Sequence, residues 1–227
     1  MKSIKTTGRI VGLLFLLMML TGAPGTYLRG LSSSLATSEN FLNYIFENAT
    51  QMKTAIVLDL LAGVLGVIIS IVLLPILKQY KKSIAYGYFA LWVVGFSITV
   101  VSNISHLSLL SLSQEFVNTS AQDSPHYKTL GLLQVKDYIW AHFMILSIFS
   151  AGGALLYYAL FKIRLIPRAL SIWFFISVTI VFTVTWVQIF GHGVSFLFYG
   201  QNGLHLITLS IWLMVKGFNP NYLEKTE

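Results

Sequence analysis

The chain has 227 residues, 56% hydrophobic, 14% aromatic and 10% charged, with 15 Lys+Arg against 8 Asp+Glu. Soluble domains carry roughly a quarter charged residues, so this composition excludes a soluble globular domain, a disordered tail and a nucleic-acid binder acting through a basic surface. Cysteine is absent, which excludes disulfides, thiolate metal sites and cysteine nucleophiles.

In chain order, six segments supply the roughly 20 mainly apolar residues that a bilayer core of about 30 Å demands. They are Ile10–Leu31, Ala55–Leu77, Ile84–Leu112, Tyr138–Phe161, Ala169–Phe190 and Ser195–Val215. No alternating period suggests a membrane strand. The expected fold class is all-α: a polytopic membrane bundle of six transmembrane helices, forming one domain over residues 1–227. Lys2, Lys5 and Arg9, ahead of an apolar stretch ending at Thr21-Gly22-Ala23, imitate a signal peptide. Pro24 follows Ala23, and apolar character resumes at Tyr27 and Leu28, so this segment is expected to stay as a first helix kinked at Pro24.

Basic residues orient the bundle. Lys2, Lys5 and Arg9 precede the first span; Lys78, Lys81 and Lys82 follow the second; Lys162, Arg164 and Arg168 follow the fourth; Lys216 and Lys225 follow the sixth. The opposite side holds Arg29, Lys53, Lys128 and Lys136. Both termini are therefore expected in the cytoplasm, and the chain in the plasma (inner) membrane. The acids fall the other way, with only Glu224 and Glu227 cytoplasmic. The long connections 32–54 and 113–137 read as polar outer loops (Ser32-Ser33-Ser34, Asn118-Thr119-Ser120). Within the first, Phe41, Leu42, Tyr44, Ile45 and Phe46 suggest a short helix on the membrane surface. Trp173, Trp140, Tyr138, Tyr157 and Tyr158 sit toward predicted interfaces and read as anchors.

Ionisable groups inside a span are expensive and point to function. Asp59, His106, His142 and His205 all map to the outer half of their helices at 1.5 Å per residue. Asp59, Gly63, Gly66 and Ser70 share one face, as do Gly95, Thr99, Ser102 and His106. Gln201, His205 and Thr208 line another, with Asn202 beside it, and Thr185, Gln188 and His192 a fourth. These stripes converge on an outward-opening polar pocket, with Ser102, Gln188, Gln201 and Asn202 as ligand-binding candidates. Against this stands a structural reading. A membrane histidine can simply bond a neighbouring helix for about 1 kcal/mol, and Asp59 can reach water or pair with Lys53 or Arg29.

Two chemistries suit such a site. His106, His142 and His205 are zinc-type ligands, with Asp59 as ligand or general base, which describes a metal-dependent membrane hydrolase. Alternatively, the histidines form a protonation relay or polar substrate site in a small transporter. A third reading makes the chain an accessory or structural protein whose polar residues pack helices. The expected partners are the lipid bilayer and a small or lipid-like ligand, with no nucleic acid.

Two stretches then suggest kinship: Arg164-Leu165-Ile166-Pro167-Arg168-Ala169-Leu170-Ser171, and Ile211-Trp212-Leu213-Met214-Val215-Lys216-Gly217-Phe218-Asn219-Pro220. With Gly8-Arg9-Ile10-Val11-Gly12, and Tyr27 with Arg29, they resemble a bacterial membrane family known as domain of unknown function 4386. The resemblance implies a six-helix bacterial inner-membrane protein and supplies no substrate, cofactor or catalytic residue. Physically, Pro167 favours a helix start, and Arg164 and Arg168 hold that turn at an anionic face. Lys216 and Gly217 end the last helix. Function at that face would be docking of a cytoplasmic partner.

Overall fold

The computed structural model describes residues 4–29, 38, 40–119, 125–195 and 197–220. Among these are seven α-helices and no strand: α1 (Ile4–Arg29), α2 (Phe41–Glu47), α3 (Ala49–Tyr80), α4 (Lys82–Asn118), α5 (Pro125–Ile163), α6 (Arg168–Ile189) and α7 (Leu197–Lys216). Five of them, α1, α3, α4, α5 and α6, are long and apolar enough to cross a membrane, the mark of a multi-pass membrane protein. Polar residues occupy the first turns of α7 (Gln201, Asn202, His205), and α7 is not one of the five. Leu31, residues 32–34, Ser120, Lys2, Glu224, Lys225 and Glu227 lie outside the described residues.

The six long helices pack in chain order, and α7 returns to α1, so they form a closed ring. Small residues let the ring close. An added Cβ on Gly12 would come within 2.7–2.8 Å of Leu213 Cβ, Met214 N and Ser210 O of α7, so α1 and α7 meet backbone to backbone. Gly66 of α3 similarly accepts the Trp92 ring of α4. α1 continues through Pro24 and packs Val11, Phe15 and Met18 into the core of the bundle.

The polar outer loops expected over 32–54 and 113–137 are instead largely helical wherever they are described. α3 already begins at Ala49, α4 runs on to Asn118, and α5 starts at Pro125. At 1.5 Å per residue, α4 and α5 reach about 55–60 Å, about twice a bilayer's hydrocarbon thickness. The physical reason is a second apolar core beyond the spans. Phe41, Leu42 and Ile45 of α2 pack with Met52 and Ile56 of α3, Leu109 and Phe116 of α4, and Val135 of α5. The short helix predicted around Phe41 is present, and its apolar face is buried against these helix extensions.

Gly12→Leu is expected to wedge α1 from α7 and cost about 1–3 kcal/mol, the usual penalty of overpacking. Gly22→Ala, whose Cβ would meet only Ala62 Cβ at 3.4 Å, should be near neutral. Thermal unfolding of both variants in detergent, followed by tryptophan fluorescence, measures the difference.

Candidate functional site

Arg29, at the end of α1, is 3% exposed although it carries a permanent charge. A cation so enclosed must find acceptors. Its Nη2 donates to Asp59 Oδ2 of α3 at 3.1 Å and to Asn103 Oδ1 of α4 at 2.8 Å. Asn103 Nδ2 in turn donates to Asp59 Oδ2 at 2.8 Å and to Thr99 O at 2.8 Å. Three side chains from three helices thus close a triangle. The Arg29 guanidinium also lies 4.8 Å from the centre of the Tyr138 ring, which brings in α5. Asp59 is the less enclosed partner, its side chain 24% exposed.

Beside this triangle is a cavity of about 350 Å³ between α1, α3, α4, α5 and α7. Its lining is segregated in the same sense on every helix. Along α1, Met18, Gly22 and Ala23 give way to Thr26 and Arg29; along α4, Trp92 and Phe96 give way to Thr99 and Ser102. On the antiparallel helices the order reverses. Asp59 precedes Ala62 and Gly63 on α3, Tyr138 and His142 precede Ile145 and Phe149 on α5, and Asn202 precedes Gly203 and Leu206 on α7. The result is one polar end and one apolar end. Two buried polar atoms at the polar end, Arg29 Nε and Asn202 Oδ1, have no hydrogen-bond partner among the described residues.

The residues singled out from sequence divide between this cavity and other places. Asp59, Ser102, His142 and Asn202 line it together. His106 lies close by, its ring 4.6 Å from that of Tyr138, and neither of its nitrogens has a hydrogen-bond partner among the described residues. His205 is elsewhere. Its Nε2 is 2.9 Å from Tyr157 Oη of α5 and its Nδ1 is 2.9 Å from Ser177 Oγ of α6, so both nitrogens are used in joining three helices. Gln201 donates to Ser177 O at 3.0 Å, and Gln188 accepts from Tyr199 Oη, so both brace α6 against α7. The three histidines therefore do not converge, and no group of three or more metal-type ligands forms among the described residues. Tyr138 and Tyr157, expected as interfacial anchors, are both enclosed by the bundle: Tyr138 beneath Arg29, and Tyr157 held by His205 and packed on Phe174.

A family profile described as domain of unknown function (DUF4386) matches residues 10–217. The chain belongs to this family. Every cavity-lining residue of this DUF4386 protein lies inside the matched region. No curated protein and no solved structure matches the chain.

Asn103 and Tyr138 were not among the sequence candidates for the site; Arg29 was named only as a partner open to Asp59, and the 3.1 Å ion pair bears that pairing out. Arg29 had a readable signal: Met18, Gly22, Gly25 and Arg29 follow the same i, i+4, i+7, i+11 spacing that picked out Asp59 on α3. Asn103 and Tyr138 had none beyond adjacency to Ser102 and one-turn spacing to His142.

Asp59→Leu strands the deeply buried Arg29 guanidinium and is expected to cost about 3–5 kcal/mol. Arg29→Met leaves a carboxylate that still reaches solvent and should cost less. The double variant should recover most of the loss, since both charges are then gone. Detergent-unfolding midpoints of the three variants test this order; a cost for Arg29→Met equal to that for Asp59→Leu would contradict it.

Proposed function

We propose that this DUF4386 protein binds a lipid-like amphiphile, with the apolar chain in the cavity and the polar head at Asp59, His142, Ser102 and Asn202. The observation that carries this reading is the common polarity gradient on all five lining helices. Packing alone needs small residues and satisfied polar groups. It does not need five helices to change from apolar to polar at one level around an open space of about 350 Å³, a size at the small end of ligand pockets, about 300–1,000 Å³. Asn202 Oδ1 and Arg29 Nε supply an acceptor and a donor that lack partners among the described residues beside that space.

In the same reading α7 is the sixth span and both termini are cytoplasmic. The support is the distribution of charge. Lys5, Lys78, Lys81, Lys82, Lys162, Arg164, Arg168 and Lys216 cluster at one end of the ring, and the polar end of the cavity lies toward the other. The head of the amphiphile therefore sits in the outer half of the bilayer of a bacterial inner membrane. Topology is simple to check in a cysteine-free chain. A thiol introduced at Asn48 should react with a membrane-impermeant maleimide in intact cells, and one at Lys81 only after permeabilisation.

The binding test uses dansyl-undecanoate with the full-length protein in nanodiscs, read as energy transfer from Trp92, which lines the cavity. Gly203 faces open space, with nothing within 4 Å of an added Cβ, so Gly203→Leu fills the cavity without disturbing the ring. That variant should weaken binding by about tenfold or more, the equivalent of about 1.4 kcal/mol. Trp92→Phe, which takes away the donor lining the cavity, should lower the transfer more than Trp186→Phe, at the exposed surface. Unchanged transfer in Gly203→Leu would mean that the probe reports on bulk lipid, and the reading would fall.

A further inference from the structure

The three stretches that carry the family resemblance are far apart in the chain and meet at one place. Gly8 of α1 abuts the Gly217–Phe218 backbone, Arg9 Nη2 donates to Val215 O at 3.5 Å, and Asn219 N–H donates to Leu165 O at 2.9 Å. Between them, at the end of the ring opposite the Arg29 triangle, is a second cleft of about 560 Å³. Its walls carry four exposed cations, Lys5, Arg164, Arg168 and Lys216, and no acid occurs among the described residues that line it.

The cleft is built, not merely decorated with charge. Its base is apolar and fully packed, with Leu165, Ile166 and Phe218 each 1–3% exposed. Pro167 and Arg168, the start of the 22-residue helix α6, form part of the wall, so that helix presents its positive end there. Arg164 follows the last residue of α5 with φ of 53°, a left-handed position usually given to glycine. The chain keeps an arginine there despite the conformational cost. Gly217, with φ of 70°, lies directly on the Lys5 backbone and lets the two walls touch.

We infer that this cleft seats the phosphate of an anionic phospholipid headgroup, preferring a headgroup with two phosphates to one with a single phosphate. Four cations with no counter-acid among the described residues exceed what one phosphodiester neutralises. The place, at the ends of α1, α5, α6 and α7, is where headgroups of a leaflet lie, and basic pockets between spans are suited to such lipids. The inference concerns the opposite end of the bundle from the amphiphile cavity and stands independently of it.

The test is native mass spectrometry of the full-length protein in detergent with added cardiolipin, phosphatidylglycerol or phosphatidylcholine, with and without inorganic phosphate. Cardiolipin adducts should dominate, followed by phosphatidylglycerol. Arg164→Gln/Arg168→Gln should weaken cardiolipin retention by about tenfold or more, as expected for two lost cations at a headgroup. Lys81→Gln/Lys82→Gln, which removes as much charge from the neighbouring turn, should change it by less than about twofold. If the arginine variant does not fold, Lys5→Gln/Lys216→Gln serves the same purpose on the other two walls. Equal losses in cleft and control variants, or no preference over phosphatidylcholine, would overturn the inference. Displacement of the lipid by millimolar inorganic phosphate would overturn its lipid part and leave a free-phosphate site.

Discussion

A permanently charged guanidinium enclosed to 3% exposure in a membrane bundle leaves little freedom to what surrounds it. Arg29 requires an anion and further acceptors at the right distance, and these come from α3 (Asp59) and α4 (Asn103), with Tyr138 of α5 over its plane. The relative heights of four helices follow from that requirement. Sliding any of them by one turn, about 5.4 Å, would separate donors from acceptors by more than a hydrogen bond can span. The polar end of the cavity lies where it does because these same groups form its wall.

The histidines show how residue type and residue role come apart inside a membrane. His205 has both nitrogens engaged and ties α7 to α5 and α6, a purely constructional task. His142 lines the cavity, and His106 is buried beside Tyr138 without a hydrogen-bond partner among the described residues. An inventory of three imidazoles in the same half of a bundle reads as one site. Their partners separate them, because a histidine's chemistry depends on what its two nitrogens already hold.

Much of the fold was legible because a bilayer imposes a simple length rule, and the apolar runs obey it. The helical extensions of α3, α4 and α5 were not, because Ser, Thr and Asn near residues 113–119 look like loop while the apolar residues among them, such as Phe116 and Val135, bury against α2 only through tertiary packing. For the cavity, Asp59 and Ser102 were legible from helical stripes. Arg29 was read as an orienting charge at the end of the first span and as one partner open to Asp59, but its place on the buried face of α1 went unread. Tyr157 was mistaken for an interface anchor because aromatic residues near a helix end have two meanings, and only the position of His205 on a distant helix separates them.

The closed ring has a consequence in time. A chain is inserted from its N-terminus, yet at Gly12 α1 meets backbone to backbone with α7, the last of the described helices in chain order. Until then the Gly8–Gly12 face has no partner, while Arg29 at the other end of α1 can be neutralised as soon as α3 delivers Asp59. Formed in that order, the bundle would be an open arc held by charge between α1 and α3 until glycine lets α7 close it. A ribosome that stalls before Leu197 would leave an arc with an exposed small-residue seam, suited to capture by another helix and open to quality-control recognition.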